Sequence, residues 1–252
     1  MSNYTEALHA LHDNQSPLFL FNVWDAGTAK VICNSGANAV ATSSWSVAEA
    51  QGYNDGQAMP FNELLIVVKN IVNSVNIPVT VDFESGYADE IDDICENFGA
   101  LIKVGISGIN FEDQNIRAGG IIDSEYQAKR ITALRKKASE LGVNIFINAR
   151  TDVFLQEGDE SKHADLTDEV IRRGLSYRDA GANGFFIPGT TNKNLIRKIC
   201  EAVSLPINVM DLSDQPDLES YSEIGVKRVS IGPKSWIDFS SSFKEKVEKL
   251  YN

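Results

Sequence analysis

Short runs of apolar, often β-branched residues alternate along this chain with longer stretches of amphipathic character. The short runs fall at 18–22, 39–42, 79–81, 108–111, 144–149, 184–187, 206–210 and 228–231. Their length and near-continuous hydrophobicity predict strands buried on both faces. Between them the apolar residues recur at helical spacing, as in Leu64, Leu65, Val68, Ile71 and Val72. Helices are predicted over 1–15, 26–35, 61–75, 91–104, 124–141, 166–180, 192–203, 218–224 and 239–251. Gly36 is expected to cap the second and Ser124 to N-cap the fifth. Polar, glycine-bearing loops are expected at 49–59 and 115–123, with a longer polar loop at 157–165.

Strands that alternate with helices build a parallel sheet. Eight such units favour an α/β fold closed into a (β/α)8 TIM barrel over an open doubly wound sheet. The open sheet would carry a glycine-rich phosphate turn after its first strand, and Asn22-Val23-Trp24-Asp25-Ala26-Gly27 is not one. No linker or break in composition interrupts residues 1–252, so a single domain is expected.

In such a barrel the chemistry sits at the C-terminal ends of the strands. The third run ends in Val81-Asp82-Phe83-Glu84-Ser85-Gly86, where strand spacing would point both carboxylates the same way. Two acids at the mouth of a buried strand repel unless a cation sits between them, and Mg²⁺ is the simplest such cation. A strand end that merely meets solvent is the competing explanation. Other strand ends add Ser43-Ser44-Trp45, Glu112-Asp113 and Arg150-Thr151-Asp152, and the 49–59 loop adds Asp55. The set reads as a divalent cation site beside an anion clamp, since the planar fork of Arg150 suits a carboxylate. A structural ion pair of Arg150 with Asp152 or Glu112 is the alternative. Arg117, in the loop with Gly119 and Gly120, is a second candidate anion clamp.

Composition narrows the classes. A formal net charge of −12 offers no basic stripe for nucleic acid. No run reaches the roughly 18 consecutive apolar residues that a membrane span needs. Cys33, Cys95 and Cys200 are widely spaced and odd in number, which predicts reduced thiols in a cytoplasmic protein. The N-terminal residues lack an apolar signal core. No His stands at a strand end; His9, His12 and His163 read as solvated. Ser43 and Ser44 have no neighbouring His to activate them. Electrophilic stabilisation of an enolate oxygen remains, in C–C or P–C chemistry beside a carbonyl.

The motifs Asp25-Ala26, Ser43-Ser44-Trp45, Gly52-Tyr53-Asn54-Asp55, Val81 to Tyr87, Asn110-Phe111-Glu112-Asp113-Gln114, Ala149-Arg150-Thr151-Asp152 and Ala180-Gly181-Ala182 come in a distinctive order. In that order the chain resembles the isocitrate lyase / phosphoenolpyruvate mutase superfamily, from about residue 18 to 210. The resemblance implies a Mg²⁺-dependent barrel, with Mn²⁺ as a substitute. It also implies a homo-oligomer, dimer or tetramer, with a C-terminal helix exchanged between subunits. Asp82 would bind the metal directly, while Glu84, Glu112 and Asp55 would hold its waters. Arg150 would pair with the substrate carboxylate, and the backbone amides of Ser43 and Trp45 would bind carboxylate or enolate oxygens. Arg150, Glu112 and Asp55 become the catalytic candidates.

Three departures stand out. Glu84 replaces the family's usual Asp, so its contact must reach further. The loop Asn115-Ile116-Arg117-Ala118-Gly119-Gly120-Ile121-Ile122 lacks the lyases' Cys motif. It also lacks the Pro-Lys element of the mutases and phosphonopyruvate hydrolases. The expectation is a lyase-type enzyme acting on a small 2-oxo or 2-hydroxy (di)carboxylate through a pyruvate-like enolate. C–C cleavage leads, as in 2-methylisocitrate lyase or oxaloacetate decarboxylase. P–C chemistry, or a non-catalytic oxyacid-binding barrel, is the alternative.

Overall fold

The computed structural model describes residues 2–251. Nine parallel strands form one sheet: β1 (Leu18–Leu20), β2 (Asn22–Val23), β3 (Val40–Thr42), β4 (Val79–Asp82), β5 (Gly108–Glu112), β6 (Phe146–Arg150), β7 (Gly184–Phe186), β8 (Ile207–Met210) and β9 (Val226–Ser230). Their order is β1-β9-β8-β7-β6-β5-β4-β3-β2. β1 and β2 are the expected first strand, interrupted at Phe21, whose carbonyl still accepts from Ala41 N. One half pairs with β9 and the other with β3, so the sheet curls into a nearly closed barrel. The alternation of strands and helices is therefore the TIM-type α/β arrangement.

Two apolar clusters follow from the strand alternation. Outward residues such as Val81, Ile109, Phe111 and Val209 meet the helices in the main core. Inward residues at the N-terminal end, Leu18, Leu20, Ala39, Ala41 and Phe146, close the barrel floor together with Leu8 of the first helix, Ser2–His12. That helix was expected over 1–15, and Met1 lies outside the described residues.

Several boundaries differ from expectation for local reasons. The loop expected from residue 49 is preceded by a helix, Ser44–Ala50, N-capped by Ser43, whose Oγ accepts from Ser46 N. Asp123, not Ser124, caps the helix Ser124–Glu140, because its carboxylate reaches the amides of Glu125 and Tyr126. The C-terminal helix starts earlier, at Lys234, and runs to Tyr251. His12 and His163 are buried, not solvated. His12 stacks on Phe146 at 4.0 Å with Nδ1 2.7 Å from the Leu8 carbonyl oxygen, and His163 Nε2 lies 2.8 Å from the Glu157 carbonyl oxygen. Cys33, Cys95 and Cys200 are free thiols. Among the described residues no helix is long and apolar enough to cross a membrane.

Candidate active site

Inward alternation at the C-terminal strand ends collects polar side chains around one cavity of about 440 Å³. Ser43, Trp45, Asp55, Asp82, Glu84, Glu112 and Arg150 all line it. Arg117 does not. It is exposed, ion-paired with Asp89, and borders a separate cavity of about 410 Å³.

Asp82 ends β4 and is buried. Its Oδ2 accepts from Ser44 N at 3.2 Å, at the start of the short helix. Its Oδ1 is buried with no hydrogen-bond partner. A buried carboxylate oxygen with no protein partner is costly unless something positive or a donor meets it.

Glu84 reaches the same cavity by a different route from the one expected. The strand stops at Asp82, and Glu84 takes a left-handed backbone (φ 47°). Both its oxygens are engaged: Tyr87 OH donates to Oε1 and Gln57 N donates to Oε2 at 2.9 Å. Gln57 and Tyr87 have φ 59° and 58°, so the three left-handed non-glycine residues among the described residues meet at this carboxylate. Such strain persists where surrounding contacts impose it, often at functional sites. Burial, helped by the charges of Asp82 and Asp55, pushes the Glu84 carboxyl up to about 8 against those two donors. Burial likewise raises Asp55, with Asp82 beside it, and raises Glu112 well above the usual carboxylate range against the pull of Arg150.

Arg150 ends β6. Its Nε and Nη2 form a fork on Asp152, at 2.6 and 2.9 Å. Nη1 stands 2.9 Å from Glu112 Oε2 and 3.9 Å from Asp82 Oδ2. The Glu112 contact is an ion pair outside hydrogen-bond geometry. Burial opposes the charge on Arg150, but Glu112, Asp152 and Asp82 outweigh it and hold the guanidinium protonated. The ion pair with Asp152 weighed at the outset is thus present, within the wall of the cavity. Asp113, beside Glu112, turns away to Tyr177 OH (2.7 Å), Arg173 (2.9 Å) and the amide of Asp152 (3.0 Å). It fixes the strand ends instead of lining the cavity.

The donor set fits a small hard cation. Asp82 Oδ1 is free, Glu112 and Asp55 stand in the same cavity, and all available ligands are oxygens. Among the described residues no three His, Cys, Asp or Glu side chains converge as a ready-made cage. Mg²⁺ tolerates that, because it keeps several waters and takes only one or two carboxylates.

Sequence reasoning missed Asn110 and Asn22, which also line the cavity. The signal was present: both are polar residues at inward positions of apolar strands. A larger cavity of about 700 Å³ lies elsewhere, walled by Phe19, Phe21, Val31, Ile32 and Phe239.

The phosphoenolpyruvate phosphomutase family model matches residues 8–251. The crystal structure of a provisionally named phosphonomutase from Burkholderia cenocepacia J2315 superposes with a TM-score of 0.93. It is 40% identical and covers 97% of this chain and 99% of its own. An uncharacterized protein of Mycobacterium tuberculosis is 30% identical over 90% of this chain and 81% of its own length. The 2-methylisocitrate lyase of Escherichia coli (strain K12) is 25% identical over 84% of this chain and 71% of its own. The chain belongs to the phosphoenolpyruvate phosphomutase family.

Proposed function

We propose that this chain is a Mg²⁺- or Mn²⁺-dependent enzyme that cleaves a C–C bond in a small 2-oxo or 2-hydroxy carboxylate through a pyruvate-like enolate. The observation that carries this is Asp82 Oδ1, bare and buried in an acid-lined cavity that also presents Arg150. Asp82 would hold the metal, with Glu112 and Asp55 on its waters. When bound, the metal would stabilise negative charge developing on the substrate oxygens. Arg150 would orient a carboxylate through the guanidinium edge that Asp152 leaves open. The Trp45 amide lies in the first turn of its helix, where no intrahelical carbonyl serves it, and would donate to a second oxygen. Glu84, tied to Tyr87 and Gln57, would hold the 49–59 loop, and with it Asp55, against the site. Three free cysteines suit a reducing compartment.

P–C chemistry is the second reading, favoured by the family model and by the phosphonomutase description of the 40%-identical Burkholderia protein. Turnover of 2-methylisocitrate, 2,3-dimethylmalate, oxaloacetate and phosphonopyruvate with Mg²⁺ or Mn²⁺, read as formation of pyruvate, oxalate or phosphoenolpyruvate, separates the two. Cleavage of a carbon acid alone supports the first reading. Phosphonopyruvate turnover alone replaces it with the second. Oxalate binding without any turnover leaves a binding barrel.

The proposal extends to assembly. The C-terminal helix Lys234–Tyr251 has no buried residue, and Phe239, Phe243, Leu250 and Tyr251 are exposed. A second copy that covers them would make the molecule a homo-oligomer. Removing residues 239–252 should then lower the mass in solution, measured by light scattering. A full-length chain that is monomeric at micromolar concentration would refute this.

A further inference from the structure

Between the apolar floor and the acidic mouth lies a layer of buried amides with one buried guanidinium. Asn110, Asn148 and Asn208 point inward from β5, β6 and β8, and Arg228 points inward from β9. Arg228 is 1% exposed, and among the described residues no carboxylate lies within ion-pair distance of it. Its Nη2 donates to Asn110 Oδ1 at 3.2 Å, while Nε and Nη1 are buried without partners. So many unmet donors in a barrel interior destabilise the fold.

The hydrogen-bond logic fixes each amide. Asn208 Nδ2 faces the carbonyls of Val209 (2.8 Å) and Arg228 (3.2 Å), which cannot donate. Its Oδ1 must therefore face Asn148, which donates from Nδ2 at 3.0 Å. The same Nδ2 of Asn148 donates to Asn110 Oδ1 at 2.9 Å. Arg228, which can only donate, reaches the same oxygen independently. Two lines of reasoning thus place Oδ1 of Asn110 downward. Its Nδ2 has no protein acceptor among the described residues, and Asn110 lines the cavity.

We propose that Arg228 is a positioning residue, which locks the Asn110 amide so that Nδ2 donates to an anionic oxygen of the bound oxyacid. The inference rests on the reading of the cavity as an oxyacid site. It assigns a substrate contact to Asn110 and a reason for a destabilising arginine beneath it. An amide N–H₂ favours an oxygen that only accepts, such as a carboxylate or enolate oxygen. It disfavours a hydroxyl already engaged as an acceptor.

The test is calorimetry of oxalate with Mg²⁺ on the intact protein, alongside Mn²⁺ binding without oxalate and thermal unfolding. Asn110→Asp keeps the shape and replaces the donor with an acceptor. Its oxalate affinity should fall by roughly tenfold or more, the scale of a lost hydrogen bond to a charged group, with Mn²⁺ binding retained. Arg228→Met frees the Asn110 amide to turn. Its oxalate affinity should fall several-fold while Tm holds or rises, an outcome that a merely structural arginine would not produce. Arg228→Lys should recover part of the affinity. Unchanged oxalate binding by Asn110→Asp overturns the proposal. So does an Arg228→Met protein that is less stable or fails to fold, because the arginine then serves stability. Wild-type protein that binds no oxalate with either metal removes the oxyacid reading itself, and this inference with it.

Discussion

The two ends of the barrel interior solve opposite problems. At the floor, Leu8, Leu18, Leu20 and Phe146 fill the space, and His12, the buried ring stacked on Phe146, is held neutral. Burial, with Arg228 nearby, drives its pKa down to about 3. At the mouth, Asp55, Glu84 and Glu112 gather beside Asp82 where burial and mutual repulsion oppose the charges of those three, with Arg150 as the cation among them. The floor discards charge and gains packing. The mouth keeps charge that only a ligand can fully offset. On the proposed function, packing at the floor and ligand binding at the mouth are separated along the barrel axis, as the fold allows. Variants at the two ends should have opposite signatures.

The largest expected effect is at the mouth. Asp82→Ala should abolish Mg²⁺-dependent oxalate binding in calorimetry, a loss beyond about 100-fold, because it removes the charge and the bare oxygen together. Tm should not fall, since the truncation relieves repulsion with Asp55 and Glu84 and opens no apolar cavity. Unchanged oxalate affinity would remove Asp82 from the metal site.

The matching change at the floor is Leu20→Ala. Leu20 is fully buried in the inner cluster. Its truncation should reduce unfolding free energy by about 2–5 kcal/mol, measured by urea denaturation. Oxalate affinity should stay within about twofold. A large affinity loss would mean that floor and mouth are coupled after all.

These contrasts were legible in the sequence to different depths. The mouth showed through because acids at the ends of apolar strands are conspicuous, and seven of the eight site candidates do line one cavity. The exception is Arg117, whose loop leads it to Asp89 on the outside. The floor was not legible. His12 ends a polar helix and looks solvated until the barrel closes over Phe146, a contact 134 residues away. Helix Ser44–Ala50 was hidden because seven residues carry little periodicity, and its cap Ser43 resembles any loop serine. Arg228 sat unremarked in a strand pattern, since nothing local says that its guanidinium meets Asn110, 118 residues away.

A smaller effect sets the two ends against each other in pH. His12 is neutral in the fold below its unfolded value of 6.5, so the unfolded chain takes up the proton first. Stability should fall with pH from about 6.5 towards about 3, at about 1.4 kcal/mol per pH unit. Glu84 works the other way. Its raised value means that the unfolded chain releases the proton first, so metal-free protein should lose stability as pH rises from about 4.5 to about 8. The raised values of Asp55, Glu112 and Asp113 add to this second limb. Denaturation profiles in EDTA should show both limbs. His12→Phe should flatten the upper part of the acid limb, before carboxylates such as Glu96 and Asp217 protonate, and saturating Mg²⁺ should flatten the alkaline limb. An alkaline limb that Mg²⁺ leaves untouched would place its source away from the cation site.

The smallest effect is expected at Arg117, which belongs to neither end. It is exposed, with its guanidinium on Asp89, and it borders the second cavity beside the 115–123 loop. An exposed ion pair of this kind contributes little to stability, so Arg117→Ala should leave Tm unchanged. Gly119 and Gly120 in that loop have φ 77° and 75°, and a Cβ on either would meet nothing within 4 Å. That open, left-handed pair is what a swinging segment needs. If the loop closes over a bound oxyacid, Arg117 reaches the substrate as a permanent cation, useful for attraction and poor at proton transfer. Arg117→Ala should then raise KM by up to about tenfold and leave kcat nearly unchanged on whichever oxyacid is turned over. No change in either constant would make the loop a plain connector. A fall in kcat at constant KM would instead put the arginine in the transition state, and would extend the charged mouth beyond the strand ends that now define it.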